Sequence, residues 1–456
     1  MGHFLKKLVL FVLSPLLIFL VFMIVSREML YDYHVVMDQT YNMDGKDALI
    51  HPLKLTNGLI NFPDTIGSNH SSFIKVNVKS NGIGKMFQPH ILMTGAKGSE
   101  IQYTEHGAEG IRYLNVTNLI AAGNKRIKIS GDNINVFDGD VNLIQYENID
   151  FEGKIILVLA PHPDDAEIAA FGLYSGQEDV YVVTVTSGDA GPFMYDEIYD
   201  DPVVHYLKKG EVRTWNSLTV PMLGGVHPER ILNLGYNDAR LKKMEADRAY
   251  VAEGLYTHVS DMETFRKQNS SRLMNGIDGI NNWESLVDNL EYLLNEIEPD
   301  IIIAPSPKLD QHSDHQYSTI ALIEALKKQG IKEGKLLLYT NHLVPFNENY
   351  PYGNAGGVIS LPPTPRGSNY FSGIYSHPMT YEQQQFKILA LDAMNDLRLG
   401  TDFRYPLLAF GQAFETLWTW MIGDDQTYFR RAIRSNEFFF VVDIADIYDD
   451  EKLAGL

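Results

Sequence analysis

Residues 154–167 read KIILVLAPHPDDAE and residues 309–316 read LDQHSDHQ. In each stretch, imidazole and carboxylate groups are concentrated just beyond an apolar run. A neutral imidazole and a carboxylate are the nitrogen and oxygen ligands that catalytic zinc takes, usually three protein ligands with the fourth position left to water. His162 and Asp165 supply two. The second cluster, in which His312 and His315 flank Asp314, can supply the third. HxxH alone is a common surface arrangement. Two clusters that each terminate a buried parallel strand are a stronger signal, because the carboxyl ends of such strands share one edge of an open sheet, where ligands bind. The chain has no cysteine, so disulfides, thiolate catalysis and cysteine-ligated zinc are excluded. Any ion must be held by His, Asp or Glu.

The elements that must position these clusters are visible in the pattern. From Gly153 onward, apolar strands alternate with helical periods: KIILVLA, VYVVTVTS (180–187), PDIIIAP (299–305) and KLLLYTN (335–341), separated by TWNSLTV after Glu211, WESLVDNLEYLLNEI (283–297) and HQYSTIALIEALKK (315–328). This predicts an α/β fold with a Rossmann-like, mostly parallel sheet and helices on both faces. Before it, residues 73–147 break into short alternating segments such as FIKVNVKS, HILMTG and KRIKIS, set off by Gly, Asn and Asp, which predicts a small antiparallel β-sandwich. Residues 31–72 are polar and irregular, as a tether would be. At the start, an unbroken apolar run from Leu8 to Val25 is close to the roughly 18–20 residues a helix needs to span a bilayer. Pro15 would kink that span without forbidding it. The run is longer than a signal-peptide core, and MIVSREML offers no small-x-small cleavage site, so an uncleaved anchor is expected. Lys6 and Lys7 precede the span, and only Arg27, beside Glu28, follows it. The charge flank puts the N-terminus in the cytoplasm and the catalytic body in the periplasm or exterior. The predicted organisation is an anchor (1–30), a tether (31–72), a β-sandwich (73–150) and a catalytic domain (151–456).

Composition bounds the partners. A formal charge of −20 and a pI near 5.1 argue against nucleic acid and anionic lipid surfaces, which require a basic excess. Neutral or cationic partners fit.

APHPDDAE resembles the HPDD signature of the LmbE/PIG-L family of zinc-dependent N-deacetylases, and HSDH resembles that family's second motif. TSGDAG (186–191), EVRTW (211–215) and LGYND (234–238) are similar to its glycine-rich turn, its VRxxE helix and its LGxxD segment. The resemblance runs from about residue 154 to residue 398 and leaves out the anchor and the sandwich. It implies one Zn2+ held by His162, Asp165 and His315, with Asp164 as general base and His312 as general acid, donating as an imidazolium, or as oxyanion stabiliser. Fe2+ suits a similar His/carboxylate set. Asp314 is placed to orient a histidine through its ring N–H, or to sit as a favourable charge at a helix N-terminus. Arg213, Asp189 and Asp238 become candidate substrate contacts. Two departures stand out. Ala166 occupies the family's usual glutamate position, with Glu167 one place later, and Asn216 and Ser217 stand where the VRxxE glutamate is expected. The segments 242–282 and 347–370 are long enough to be lids or substrate walls.

The reaction implied is hydrolysis of the N-acetyl group of an amino sugar in a glycan, glycolipid or polysaccharide. Competing readings are a GPI-pathway GlcNAc-phosphatidylinositol de-N-acetylase with its body in the cytosol, hydrolysis of another amide, and a non-catalytic glycan-binding or scaffold protein with a vestigial site.

Overall fold

The computed structural model describes residues 14, 31, 33–41, 43, 47–193, 195, 198–343, 350–363, 369–395 and 431–456. The expected span at 8–25 lies outside them apart from Ser14, and among the described residues no helix is long and apolar enough to cross a membrane.

Two antiparallel sheets come first. One runs β1 (Leu49–Leu55), β9 (Gly139–Glu147), β3 (His70–Ser80), β6 (Glu109–Asn115), with β8 (Ile134–Val136) also paired to β3. The other runs β2 (Leu59–Asn61), β7 (Arg126–Asp132), β4 (His90–Gly95), β5 (Gly98–Tyr103). Side-chain alternation produces the sandwich: Ile127 and Ile129 of β7 point inward between exposed Arg126 and Lys128, and they share a core with Ile74, Val76 and Leu143 of the first sheet. Strands therefore begin at Leu49, which corrects the irregular tether expected over 31–72. LIHPLKL hides its alternation behind Pro52, a residue tolerated because β1 is an edge strand paired only with β9.

Seven strands make the third sheet, in the order β12 (Ile231–Tyr236), β11 (Val180–Thr186), β10 (Ile156–Ala160), β13 (Ile301–Pro305), β14 (Lys335–Tyr339), β16 (Asn436–Asp443), β15 (Gly373–Pro378). The pairs among β10 to β14 are parallel, and β16 runs antiparallel to both its neighbours. The longer helices are α1 (Asp165–Tyr174), α2 (Pro202–Thr219), α3 (Trp283–Ile297), α4 (Ser313–Gln329) and α5 (Tyr381–Ala393). Every position of β10 and β13 is buried, so these strands read as continuous apolar runs. Leu157 and Leu159 join Leu290 of α3 and Leu322 of α4 on one face. Ile156, Val158 and Ala160 join Phe171 of α1 and Ala390 of α5 on the other.

From β10 the chain steps outward through β11 to β12, then returns to the far side of β10 as β13 and continues to β14. Loops leaving β10 and β13 diverge at that reversal, the place where open α/β sheets bind ligands. HPDD leaves β10 there, and LDQHSDH leaves β13. The fold thus brings together two motifs about 150 positions apart in the chain, as the contact between His162 and His315 records.

Both sheet edges are covered. Along β12, the Asn269 side chain accepts from the Asn233 N–H at 2.8 Å and donates to the Asn233 carbonyl at 2.9 Å, standing in for a further strand. Part of the 242–282 segment is therefore edge protection. At the opposite edge, β15 and β16 carry the sandwich: Phe73 meets Phe438, Tyr41 stacks on Phe440, and the Ser376 N–H donates to Ser71 Oγ at 2.9 Å. Residues 350–363 fill the seam between the two units. Buried Arg434 donates to the carbonyls of Pro351, Tyr352, Gly353 and Asn354, so this part of the expected lid is packing material.

Candidate active site

Each motif becomes a helix start. Asp164 is the N-cap position of α1, with Asp165 and Glu167 in the first turn, where the helix dipole favours negative charge. His312 caps α4, its Nδ1 accepting from the Asp314 N–H at 3.3 Å. Helix α1 is held from behind by a buried ion pair. Glu437 of β16 accepts from the N–H groups of Gly172 and Leu173 at 2.7 and 2.8 Å, and Lys387 of α5 donates to Glu437 and to the Ile168 carbonyl, both at 2.8 Å.

In front of α1, three buried atoms form a triangle. His162 Nδ1 is 3.2 Å from His315 Nε2 and 3.3 Å from Asp165 Oδ2, and His315 Nε2 is 3.0 Å from Asp165 Oδ2. Ligands about 2.0–2.2 Å from a tetrahedral zinc stand roughly 3.3–3.6 Å apart, so the triangle fits such an ion with a small expansion. His312 stands beside it, its ring perpendicular to that of His162 at 4.6 Å.

The outer nitrogens of both imidazoles face carboxylates, an arrangement that fixes the tautomer presented to a metal. His315 Nδ1 is 3.0 Å from Asp310 Oδ2. His162 Nε2 lies 3.2 Å from Asp238 and 3.4 Å from Asp314. These two approaches lie off the line of a good hydrogen bond and act mainly as charge. Burial opposes charge on His162, but Asp238, Asp165 and Asp314 outweigh it and hold its proton well above the usual imidazole range. Burial likewise opposes charge on His315, which Asp165 and Asp310 push up to about 10. Asp165, though buried, is held well below the usual carboxylate range by His315 and His162. The carboxylates thus demand positive charge at the triangle, and a divalent cation meets that demand.

Asp164 points the other way. Among the five aspartates of the cluster its side chain is the most exposed, at 14% against 2% for Asp165, 10% for Asp238 and 0% for Asp310 and Asp314. Arg213 of α2 donates to Asp164 Oδ2 at 3.2 Å and stands 4.0 Å from Asp238. Gly188 makes room for it: φ is +68°, and a Cβ there would lie 2.6 Å from Arg213 Nη1. Burial, then the neighbouring His162, His315 and His342 rings, push His312 down to about 3. These surroundings favour the neutral ring over the expected imidazolium. Because its Nδ1 accepts from Asp314, its proton sits on Nε2.

Three sequence expectations change. Asp189 is fully buried and serves the loops, accepting from Ser187 Oγ at 3.1 Å, Asn237 Nδ2 at 2.7 Å and the Asp238 N–H at 2.9 Å; it is not a substrate contact. Asp238 faces His162 and Arg213, where burial is overcome and its carboxyl is held below the usual range, so it belongs to the charge cluster. Arg213 grips the cluster's carboxylates first, which leaves less of it for a ligand. Asp314 faces His162 and also accepts from the Ala239 and Leu241 N–H groups at 2.6 and 3.3 Å. Glu167 is turned into the core against the Tyr174 hydroxyl at 2.9 Å, and burial pushes it up to about 8.

Sequence reasoning passed over Asp310, Asn341 and His342. Asn341 donates to Asp165 Oδ1 at 2.8 Å, and its backbone N–H donates to Asp310 Oδ2 at 2.9 Å. The His342 ring is 4.8 Å from that of His315. The available signal was position: Asn341 and His342 follow β14, the strand next to β13. A cleft of about 1490 Å³ lies elsewhere, at the amino ends of the strands beside Lys154, Asp300 and Gly334. Size does not locate the chemistry here.

Residues 157–326 match the family model described as PIG-L: GlcNAc-PI de-N-acetylase, a stretch that opens in β10, closes in α4 and contains both motifs. No curated protein matches the sequence. Among solved structures, the A40926 pseudoaglycone deacetylase is 16% identical, with 64% of this chain and 98% of that one covered at a TM-score of 0.33. The zinc-inhibited form of a teicoplanin deacetylase is 14% identical, with 63% and 97% covered at 0.32. GalB, the 4-carboxy-2-hydroxymuconate hydratase from Pseudomonas putida, is 11% identical, with 63% and 95% covered at 0.33.

Proposed function

From the PIG-L-family domain that residues 157–326 form, we propose that this chain is a zinc-dependent deacetylase that hydrolyses the N-acetyl group of an amino sugar in a glycan, glycolipid or polysaccharide. The observation that carries the reading is the triangle of His162 Nδ1, Asp165 Oδ2 and His315 Nε2, with Asp164 turned outward beside it. Those three residues would hold the ion. When bound, it supplies Lewis acidity, bringing the pKa of a coordinated water to about 7 and polarising a carbonyl.

The protein's own groups do the rest. Asp164, oriented by Arg213, takes a proton from the water that attacks the acetamide carbon. His312 donates its Nε2–H to the carbonyl oxygen as that oxygen gains charge, a role suited to a neutral imidazole. Asp164 then returns its proton to the nitrogen as the C–N bond breaks, which yields acetate and a free amine. Asp310, Asp238 and Asp314 keep the two imidazoles turned toward the triangle.

Acetate release from a panel of N-acetylated glycans, measured with and without chelator, tests the reaction. Activity that survives both chelation and His162→Ala overturns the metal mechanism. The apolar run at 8–25 supports a single-pass anchor with the catalytic body outside the cytoplasm. A reporter fused after Leu456 and active only in the cytosol would refute that topology.

A further inference from the structure

The first turns of α2 and the segments that follow β11 and β12 build an aromatic step. The rings of Tyr206 and Tyr256 stack at 4.1 Å with 15° between their planes. Tyr206 is buried at 5% exposure, whereas Tyr256 is 38% exposed, so the inner ring backs one face of the outer ring and the outer ring reaches solvent. Phe193, 37% exposed, adjoins them with its ring 5.8 Å from that of Tyr206. The step is rigid underneath. Tyr206 donates its hydroxyl to the Gly191 carbonyl at 2.8 Å, and Lys209 donates to the Pro192 carbonyl at 2.9 Å.

It is also tied to the chemistry. Thr257, next in the chain to Tyr256, donates its hydroxyl to Asp189 at 3.4 Å. Asp189 in turn accepts the N–H of Asp238, whose carboxylate faces His162. Tyr256 is backed on one face by Tyr206 and keeps 38% of its surface exposed.

We propose that Tyr256, backed by Tyr206 and bordered by Phe193, is the stacking platform for a sugar ring adjoining the one that is deacetylated, so that the enzyme prefers an oligomeric glycan to a single sugar. The proposal rests on the deacetylase reading above. The C–H face of a pyranose is apolar and slightly positive, and it complements the negative face of an aromatic ring. A tyrosine already held by stacking loses little freedom when a sugar lies on it.

The test uses full-length, zinc-loaded protein with N-acetylglucosamine and its β-1,4-linked tetramer. Acetate release is measured from both, and tetramer binding is measured by calorimetry in the Asp164→Asn background. Tyr256→Ala is expected to lower the ratio of tetramer to single-sugar kcat/KM about tenfold and to weaken tetramer binding to a similar degree, with Tyr256→Phe restoring both. The platform is overturned if Tyr256→Ala binds the tetramer as tightly as its parent, if both substrates suffer equally, or if the parent does not bind the tetramer at all. Tetramer binding that depends on Tyr256 but yields no acetate from either sugar supports the platform and sinks the deacetylase reading instead.

Discussion

Asp310→Asn changes one atom type and probes the electrostatic logic of the triangle proposed to hold the metal. Four N–H groups converge on this buried carboxylate: His315 Nδ1 at 3.0 Å, the Asn341 and His342 backbone at 2.9 and 3.2 Å on Oδ2, and the His312 backbone at 3.0 Å on Oδ1. An asparagine in its better orientation keeps the three contacts to Oδ2 and turns its NH2 against the His312 N–H. In the other orientation it opposes three donors. Even the better case leaves a buried donor unpaired, at a cost of about 1–3 kcal/mol. That cost falls on the fold with or without metal. What differs between the two states is the lost negative charge behind His315 and the freed ring. Carboxylates behind a ligating histidine are typically worth about 10–100-fold in metal affinity, or roughly 1.4–2.8 kcal/mol. Competition between the protein and a chromophoric chelator should therefore give a zinc Kd weaker by about 10–100-fold for Asp310→Asn. Thermal melts of the chelated proteins read the fold cost separately. A zinc Kd equal to that of the parent would show that His315 does not use Asp310 when it binds metal, and the assignment of His315 as a ligand would fail with it.

Zinc should stabilise the protein more as pH rises. His162 and His315 have folded pKa values raised above that of a free imidazole, so in the metal-free chain their stabilisation is complete below about 6.5 and is lost as pH climbs through the raised values, about 10 for His315. Zinc takes the deprotonated rings, so the zinc-induced rise in Tm should grow between about pH 6 and about pH 8; an increment that shrinks over that range refutes the ligand set. Lys387→Met strands the buried Glu437 carboxylate that holds α1, and it should cost about 3–5 kcal/mol in denaturant melts, with part recovered by adding Glu437→Gln. A loss below about 1 kcal/mol would mean that the pair is an ordinary packing contact.

What the residue pattern disclosed, and what it hid, divides along physical lines. That His162, Asp165 and His315 converge is legible because their motifs follow fully apolar strands, and strand ends of a parallel sheet must share an edge. Strand β12 is faint in the sequence because ILNLGY is short and carries Asn and Gly; on its outer side Asn233 is held by Asn269 rather than by a further strand. The apolar NEFFFVVD of β16 shows no alternation, and its antiparallel place beside β14 is set by pairing rather than by its own letters. Asp310 and Asn341 lie 31 positions apart and meet because β13 and β14 are in register from Ile301–Lys335 to Pro305–Tyr339. No spacing rule exposes such a contact. Asp189 and Asp238 look alike in sequence, two acidic residues in turn-rich loops. Only burial and partners separate the one that ties loops together from the one that faces an imidazole.

Strand β16 meets the sandwich, through Phe438 and Phe440, and the chemistry, through Glu437 behind the Asp165 helix. A chain begun at residue 151 would keep every proposed ligand yet bare an oily ridge along the strand that braces one of them. Such a truncation would be a poor starting point for biochemistry: aggregation would set in first, and a dead preparation would say nothing about whether the missing half ever touched a sugar.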